Sequence, residues 1–328
     1  MKMQHRARAR TADSILDLVG NTPLVRLNRV TQGLECEVLA KLEYLNPSGS
    51  IKDRMALWMI ESAEKRGDLK PGYTVTEAST GNTGIALSFV SAAKGYKMIV
   101  FMPEAVASPE KRKMMESYGA EIRLVDTSSL ASSLDPSVHG GVIEMIPRTK
   151  ARELEASSRD VWWARQFSNP DNVAAHRETT GRELRQQTEG RVDAFVASIG
   201  TGGTLIGVRQ ALREANPEVK AIAVEPVSMP WIAKGKDAIP LIEGITDGLL
   251  MDILDGGLAD EVIPVADADA VNMAHQLGQK EGLFCGMSSG ANVFVALKIA
   301  RRLGKGKTVV AILPDSRDRY FSVERYVT

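Results

Sequence analysis

Residues Thr74–Lys94 read TVTEASTGNTGIALSFVSAAK. Thr74-Val75-Thr76-Glu77 has the β-branched character of a short strand. Ala78-Ser79-Thr80-Gly81-Asn82-Thr83-Gly84 breaks that strand with small turn-forming residues, and Ile85 to Lys94 then reads as a helix. Strand, Gly/Ser/Thr loop and helix make a βα unit whose loop lies at the carboxyl end of a strand, where open α/β sheets bind ligands.

The same grammar extends outward in both directions. Toward the N-terminus, a helical segment beginning at Asp13 ends at Gly20-Asn21-Thr22-Pro23, and Leu24 to Leu27 is a short strand. The strand Glu37 to Glu43 leads into Asn46-Pro47-Ser48-Gly49-Ser50-Ile51-Lys52-Asp53-Arg54, and a helix pattern follows from Met55 to Lys65. Toward the C-terminus come the strand Lys97 to Met102, the helix Pro109 to Tyr118 and the strand Glu121 to Val125. The Ser-rich stretch Thr127 to Pro136 reads as a surface loop, with helices at Thr149 to Ser157 and His176 to Thr188. The strand Ala194 to Ile199 meets Gly200-Thr201-Gly202-Gly203-Thr204 and a helix from Leu205 to Ala215. Strands at Lys220 to Val224 and Glu261 to Val265 and a helix from Ala268 to Glu281 follow, then the loop Gly286-Met287-Ser288-Ser289-Gly290 and a helix to Leu303. Thr308 to Leu313 is apolar without alternation, as a strand buried on both faces must be. The fold class is therefore α/β: two doubly wound lobes with mostly parallel sheets, split between Val125 and Arg165, with a cleft between them.

Composition narrows the function. The chain has 328 residues, 41 Lys+Arg against 41 Asp+Glu, so no general field for nucleic acid is expected. No apolar run is long enough to span a bilayer, and Met1 to Arg10 is Arg-rich without the apolar core of a secretory signal. Cys36 and Cys285 stand far apart with no CxxC spacing, which fits a reducing, cytoplasmic compartment and offers no metal site.

Four loops carry chemistry. Lys52 is expected at a helix N-terminus, with Ser50 as the cap; a buried amine there is pushed toward its neutral, nucleophilic form. Gly200 to Thr204 aims backbone N–H groups and two hydroxyls at one point, a cradle for a phosphate. It is neither a Walker A loop nor G-x-G-x-x-G, although Glu225 stands roughly where a dinucleotide fold places its ribose acid, which keeps a nicotinamide-dependent oxidoreductase as a rival. Ser79-Thr80-Gly81-Asn82-Thr83 suits a carboxylate, with the asparagine able to hold a phenolic oxygen. Gly286 to Gly290 offers hydroxyls. A lysine, a phosphate cradle and a carboxylate loop together are what a pyridoxal-phosphate enzyme requires.

PSGSIKDR around Lys52, STGNTGIAL from Ser79, QFSNPDN from Gln166, GTGGT from Gly200, GMSSGA from Gly286 and PDSRDRY from Pro314 occur in this order. From about Ile15 to Tyr320 the chain resembles the cysteine synthase (O-acetylserine sulfhydrylase) and cystathionine β-synthase family, fold type II of the pyridoxal-phosphate enzymes, with a tryptophan synthase β-like architecture. The resemblance implies that Lys52 carries the Schiff base and later moves the α-proton. It implies that Asn82 holds the cofactor's 3′ oxygen, that Gly200, Thr201, Gly202, Gly203 and Thr204 bind its phosphate, and that Ser288 faces the pyridine nitrogen. Ser79, Thr80, Gly81 and Thr83, with Gln166 nearby, would take the substrate α-carboxylate. The implied activity is β-replacement on a serine-derived amino acid through an α-aminoacrylate, in the simplest case O-acetylserine plus sulfide giving cysteine and acetate. A cystathionine β-synthase-like or a cysteine-consuming, sulfide-releasing activity is the alternative. The family also implies a homodimer and two domains: residues 1–44 with 151–328 holding the cofactor, and a smaller mobile domain, 45–150, holding the carboxylate. The loop reads Ala-Ser-Thr-Gly-Asn where the common form is Pro-Thr-Ser-Gly-Asn. Asp247 stands where small residues are usual; facing the cleft, it would act on the leaving group or nucleophile and favour cysteine as donor. No arginine occurs between Gly235 and Ile253 to pair a phosphorylated substrate.

Overall fold

The computed structural model describes residues 11–104, 107–127, 145–227 and 259–322. In chain order these form β1 (Leu24–Arg26), β2 (Glu37–Leu42), α1 (Lys52–Arg66), β3 (Thr74–Ala78), α2 (Asn82–Lys94), β4 (Lys97–Pro103), α3 (Pro109–Ser117) and β5 (Glu121–Val125). Next come α4 (Met145–Ser157), β6 (Val161–Trp163), α5 (Pro170–Ala175), α6 (Arg182–Gln187), β7 (Ala194–Ser198), α7 (Gly203–Arg213) and β8 (Lys220–Pro226). The chain ends with β9 (Glu261–Val265), α8 (Asp267–Gln276), α9 (Met287–Leu303) and β10 (Thr308–Leu313).

The strands form two sheets. One runs β1-β2-β10-β7-β8-β9, parallel except for β1 against β2; the other runs β5-β4-β3-β6, parallel throughout. Parallel sheets need both faces covered. In the larger sheet Val38, Ala40, Val196, Val309 and Ala311 pack on one side, and Phe195, Val310 and Ile312 on the other. In the smaller sheet Val75, Met98 and Val100 pack against Met55, Met59 and Ile60 of α1 and Ile85, Leu87 and Val90 of α2. Each of the larger of these side chains, Val, Leu, Ile, Phe and Met, contributes roughly 1.5–3 kcal/mol by leaving water.

Three expectations need correction, and one strand was not expected. The segment from Asp13 is a single 3₁₀ turn, Ile15–Leu18, because Ser14 and Asp17 close a capping box and Gly20 and Asn21 adopt positive φ two residues later. The helix expected to start at His176 starts at Pro170, capped by Asn169, and passes through a π-helical stretch, His176–Gly181, before α6. Trp162 and Trp163 belong to a strand, β6, which pairs with β3. The smaller sheet thus takes a strand from beyond residue 150, the boundary expected between the two parts. Ile51, not Ser50, precedes α1, although the Ser50 hydroxyl does accept the Lys52 N–H at 3.3 Å.

Candidate functional site

A cavity of about 370 Å³ opens at the carboxyl ends of β7, β8 and β10. Lys52, Asn82, Gly200, Thr201, Gly202, Thr204 and Ser288 all line it. Gly203 is buried as the first residue of α7. The parallel register brings these loops to one end of the sheet, although they are far apart in sequence.

Lys52 is the first residue of α1, partly buried, with the Lys52 loop tied to the end of β10 by the Ile51 N–H to Pro314 carbonyl bond at 2.8 Å and a bridge from Ser50 to Asp315. Burial lowers the Lys52 ammonium to about 8, and the Asp315 carboxylate opposes that shift. A buried ion-pair network fixes the start of the helix. Two residues on, Arg54 donates to Glu43 at 2.7 and 2.9 Å and to Glu183 at 2.6 and 2.8 Å, with no side-chain exposure of its own.

The Gly200–Thr204 cradle is shaped by contacts beneath it. Gly202 sits at φ +81°, a left-handed backbone that turns the chain into α7, and the start of that helix lies on the cavity wall with Gly202 and Thr204. A Cβ on Gly203 would lie 2.2 Å from Asn172 Oδ1. Asn172 in turn donates from Nδ2 to Thr201 Oγ1 and to the Gln166 carbonyl, both at 2.9 Å. With a lone pair of Thr201 so engaged, its hydroxyl hydrogen is free to point at an anion. His176 lies fully buried below, its Nε2 3.3 Å from Thr204 Oγ1 and its Nδ1 3.0 Å from Thr180 Oγ1. Burial first, then the charges of Lys52 and Arg54, hold its pKa well below the usual histidine range, so the ring is neutral.

The loop before α2 lies beside the cavity. Ser79 Oγ accepts the N–H groups of Gly81 at 3.2 Å and Gly84 at 3.0 Å. Thr83 Oγ1 donates to Gln166 Oε1 at 2.6 Å, and Gln166 Nε2 donates to the Ala78 carbonyl at 3.1 Å. Gln166 is anchored by its own N–H to the buried Glu77, which also accepts Trp163 Nε1. Ser79, Thr80, Gly81, Thr83 and Gln166 are therefore brought together. Asp247 and most of the Ser-rich stretch after Thr127 lie outside the described residues.

Sequence reasoning gave no role to residues of the Pro314–Tyr320 stretch that the structure brings in. Asp315 and Tyr320 line the cavity; Asp315 Oδ2 accepts Asn82 Nδ2 at 2.6 Å and the Tyr320 hydroxyl at 2.5 Å. Arg319 donates to Asn82 Oδ1 at 2.6 Å and to the Ser48 carbonyl at 2.5 Å. Lys111 of α3 places Nζ 4.5 Å from the centre of the Tyr320 ring. The motif was visible in the sequence, but its partners lie over 200 residues away. Glu225, the rival ribose acid, lines the same cavity at the end of β8. Both cysteines are buried and unpaired, and burial pushes the Cys285 thiol up to about 12. Among the described residues no three His, Cys, Asp or Glu side chains are placed to share a metal ion, and no helix is long and apolar enough to cross a membrane.

Comparison with known proteins adds a separate line. The family described as pyridoxal-phosphate dependent enzyme matches residues 15–315. A cysteine synthase of Staphylococcus aureus is 41% identical over 315 residues, covering 96% of this chain and 97% of that protein. The crystal structure of O-acetyl serine sulfhydrylase isoform 3 from Entamoeba histolytica is 38% identical with a TM-score of 0.85, covering 100% of this chain and 95% of that one. A hydrogen sulfide-producing enzyme from Fusobacterium nucleatum is 35% identical with a TM-score of 0.82, covering 95% and 99%.

Proposed function

Because the chain belongs to the family of pyridoxal-phosphate dependent enzymes, we propose that it is a cysteine synthase that joins sulfide to the β-carbon of O-acetylserine. The family assignment displaces the nicotinamide-dependent alternative. The observation that carries the reading is the meeting, in one cavity, of an amine lowered to about 8 with a glycine-rich helix N-terminus built for a dianion. The donor set fits pyridoxal phosphate: N–H groups and the Thr201 and Thr204 hydroxyls for its phosphate, Asn82 for its 3′ oxygen and Ser288 for its pyridine nitrogen.

When bound, the cofactor supplies an aldehyde that captures amines and a ring that withdraws electrons from the substrate's α-carbon. The protein's residues do the rest. Lys52 Nζ would hold the cofactor's aldehyde carbon; freed by the substrate's amine, it would take the α-proton as acetate leaves the β-carbon and return it to the α-carbon once sulfide has added. Ser79, Thr80, Gly81, Thr83 and Gln166 orient the α-carboxylate, so that the Cα–H bond faces Lys52. A hydroxyl at Ser288, in place of a carboxylate, would not hold the pyridine nitrogen protonated, and the ring would then be a weaker electron sink, which suits β-elimination over transamination. We read the part bearing the smaller sheet as the mobile one, closing over the carboxylate, since its loop before α2 brings Asn82 to a cavity whose other walls, apart from Lys52 and Ile51, come from the larger sheet and its loops. We also read the protein as a cytoplasmic homodimer. Free buried cysteines support the compartment. The half-exposed rings of Phe284 and Phe321, 6.1 Å apart, offer a surface a second copy can cover.

The test is direct. Pyridoxal phosphate added to the protein and fixed with borohydride should appear as a mass increment on the peptide carrying Lys52. The loaded enzyme should make cysteine from O-acetylserine and sulfide faster than from O-phosphoserine or serine. Labelling at another lysine, or no cysteine from any donor, would refute the reading. The likeness to the hydrogen sulfide-producing enzyme favours a second activity, release of sulfide from cysteine with formation of lanthionine or a related thioether. There Asp247 would act on the leaving group or nucleophile, and Asp247→Asn should lower sulfide release while sparing cysteine formation.

A further inference from the structure

Asn82 has an amide with two chemically different ends, and only one orientation serves a ring oxygen: Nδ2 toward the cavity. Nothing in the asparagine itself chooses that end. The choice is made by its neighbours. Arg319 can only donate, so Oδ1 must face it, at 2.6 Å; Asp315 accepts, so Nδ2 must face it, also at 2.6 Å. One Nδ2–H is used by Asp315, and the Asn82 amide also meets the Tyr320 hydroxyl on the cavity wall, so its Nδ2 edge is the one turned to the cavity that all three residues line.

Asp315 is placed to do this by two loops at once. Its backbone bridges Ser50 of the Lys52 loop, and its carbonyl accepts the Gly286 N–H at 2.9 Å from the loop that carries Ser288. Its carboxylate packs flat on Gly286, where a Cβ would come within 2.2 Å of Oδ1. The residue is 1% exposed, and Oδ1 has no hydrogen-bond partner among the described residues. A buried carboxylate oxygen left this way carries a desolvation cost that a purely structural acid would avoid. Arg319 is likewise 2% exposed and is locked to the Ser48 carbonyl, so neither neighbour of Asn82 is free to turn.

We propose that Asp315 is a positioning residue: with Arg319 it fixes the Asn82 amide so that Nδ2 donates to the 3′ oxygen of pyridoxal phosphate. The inference rests on the reading in which Asn82 faces that oxygen. Loss of the acid leaves an amide that can present either end, and a carbonyl turned toward the ring oxygen repels it.

The measurement is a double-mutant cycle on cofactor affinity, made by titrating protein freed of cofactor with pyridoxal phosphate. Asp315→Asn, which can donate as well as accept, should weaken binding about tenfold in the Asn82 protein, the scale of one charge-assisted hydrogen bond. In an Asn82→Ala background the same change should alter affinity less than twofold, because nothing remains to orient. Asp315→Ser runs through the same cycle and decides it alone should Asp315→Asn not fold. An equal loss in both backgrounds, or no loss in either, overturns the proposal. Failure of the unsubstituted protein to bind pyridoxal phosphate, or its fixation away from Lys52, would overturn the proposed function, which the wild-type titration reveals before any variant is made.

Discussion

Replacing Lys52 with Met in the cofactor-free protein should make the fold more stable, and by an amount that depends on pH. The Lys52 ammonium is lowered from 10.5 to about 8 by burial, against the opposing pull of Asp315. The unfolded chain therefore binds the proton more tightly than the folded one, and protonated Lys52 opposes folding. The shift corresponds to at most about 3 kcal/mol, since part of the side chain meets the cavity and keeps some hydration. The sign follows directly. Below pH 8 both states are protonated and the whole penalty is present. Between pH 8 and 10.5 the folded state sheds its proton first, the penalty fades, and the wild type gains stability as pH rises. Urea unfolding of the cofactor-free wild type and Lys52→Met should thus show the variant ahead by up to about 3 kcal/mol at pH 7, with the gap narrowing steadily toward pH 10.5. A gap that stays constant over that range, or a variant less stable at pH 7, would show that the ammonium is well solvated. The argument that burial prepares Lys52 as a nucleophile would then fail.

Arg54→Met should cost about 3–5 kcal/mol in urea unfolding, because it strands the buried Glu43 and part of Glu183 without a counter-charge. Glu183, which Arg54 and then Lys41 hold at about 2 against the upward push of burial, contributes stability present above pH 4.5 and lost as pH falls toward 2. Arg54→Met should therefore also flatten the acid limb of the stability–pH curve, which thermal unfolding from pH 5 to 2.5 will show. Gly203→Ala should force Asn172 off Thr201 and the Gln166 carbonyl, destabilising by about 1–3 kcal/mol and weakening pyridoxal phosphate binding measured by titration. Thr83→Val removes the 2.6 Å bond to Gln166 but touches no residue of the phosphate cradle. It should raise KM for the amino-acid donor roughly tenfold with the cofactor's absorption spectrum unchanged, the loss of about one hydrogen bond to a charged group.

Where the sequence was legible and where it was not follows from what kind of signal each feature needs. β5 and β10 match their expected bounds to the residue, because Gly119 and Asp126 delimit the first and Gly306 and Pro314 the apolar run of the second. β6 was not, since three residues carry no period and two tryptophans look like packing wherever they fall. The helices that flank the site show a more instructive error. α1, α2, α7 and α9 begin at Lys52, Asn82, Gly203 and Met287, two to four residues ahead of the expected Met55, Ile85, Leu205 and Ala291. In each case a small or polar residue read as loop is already helical. Such residues lower helix propensity in a chain interior, but the first turn makes few intrahelical bonds with its N–H groups, so the penalty is slight there. At α7 the start is Gly203, with no side chain to cover the N–H groups of the first turn. There the residue that blurs the helix start in the sequence is also the one that suits the turn to an anion, so the boundary error and the candidate cradle share one physical cause. Asp315 escaped for a different reason: its function is set by Asn82, Arg319 and Gly286, and only the folded sheet brings their loops to its end.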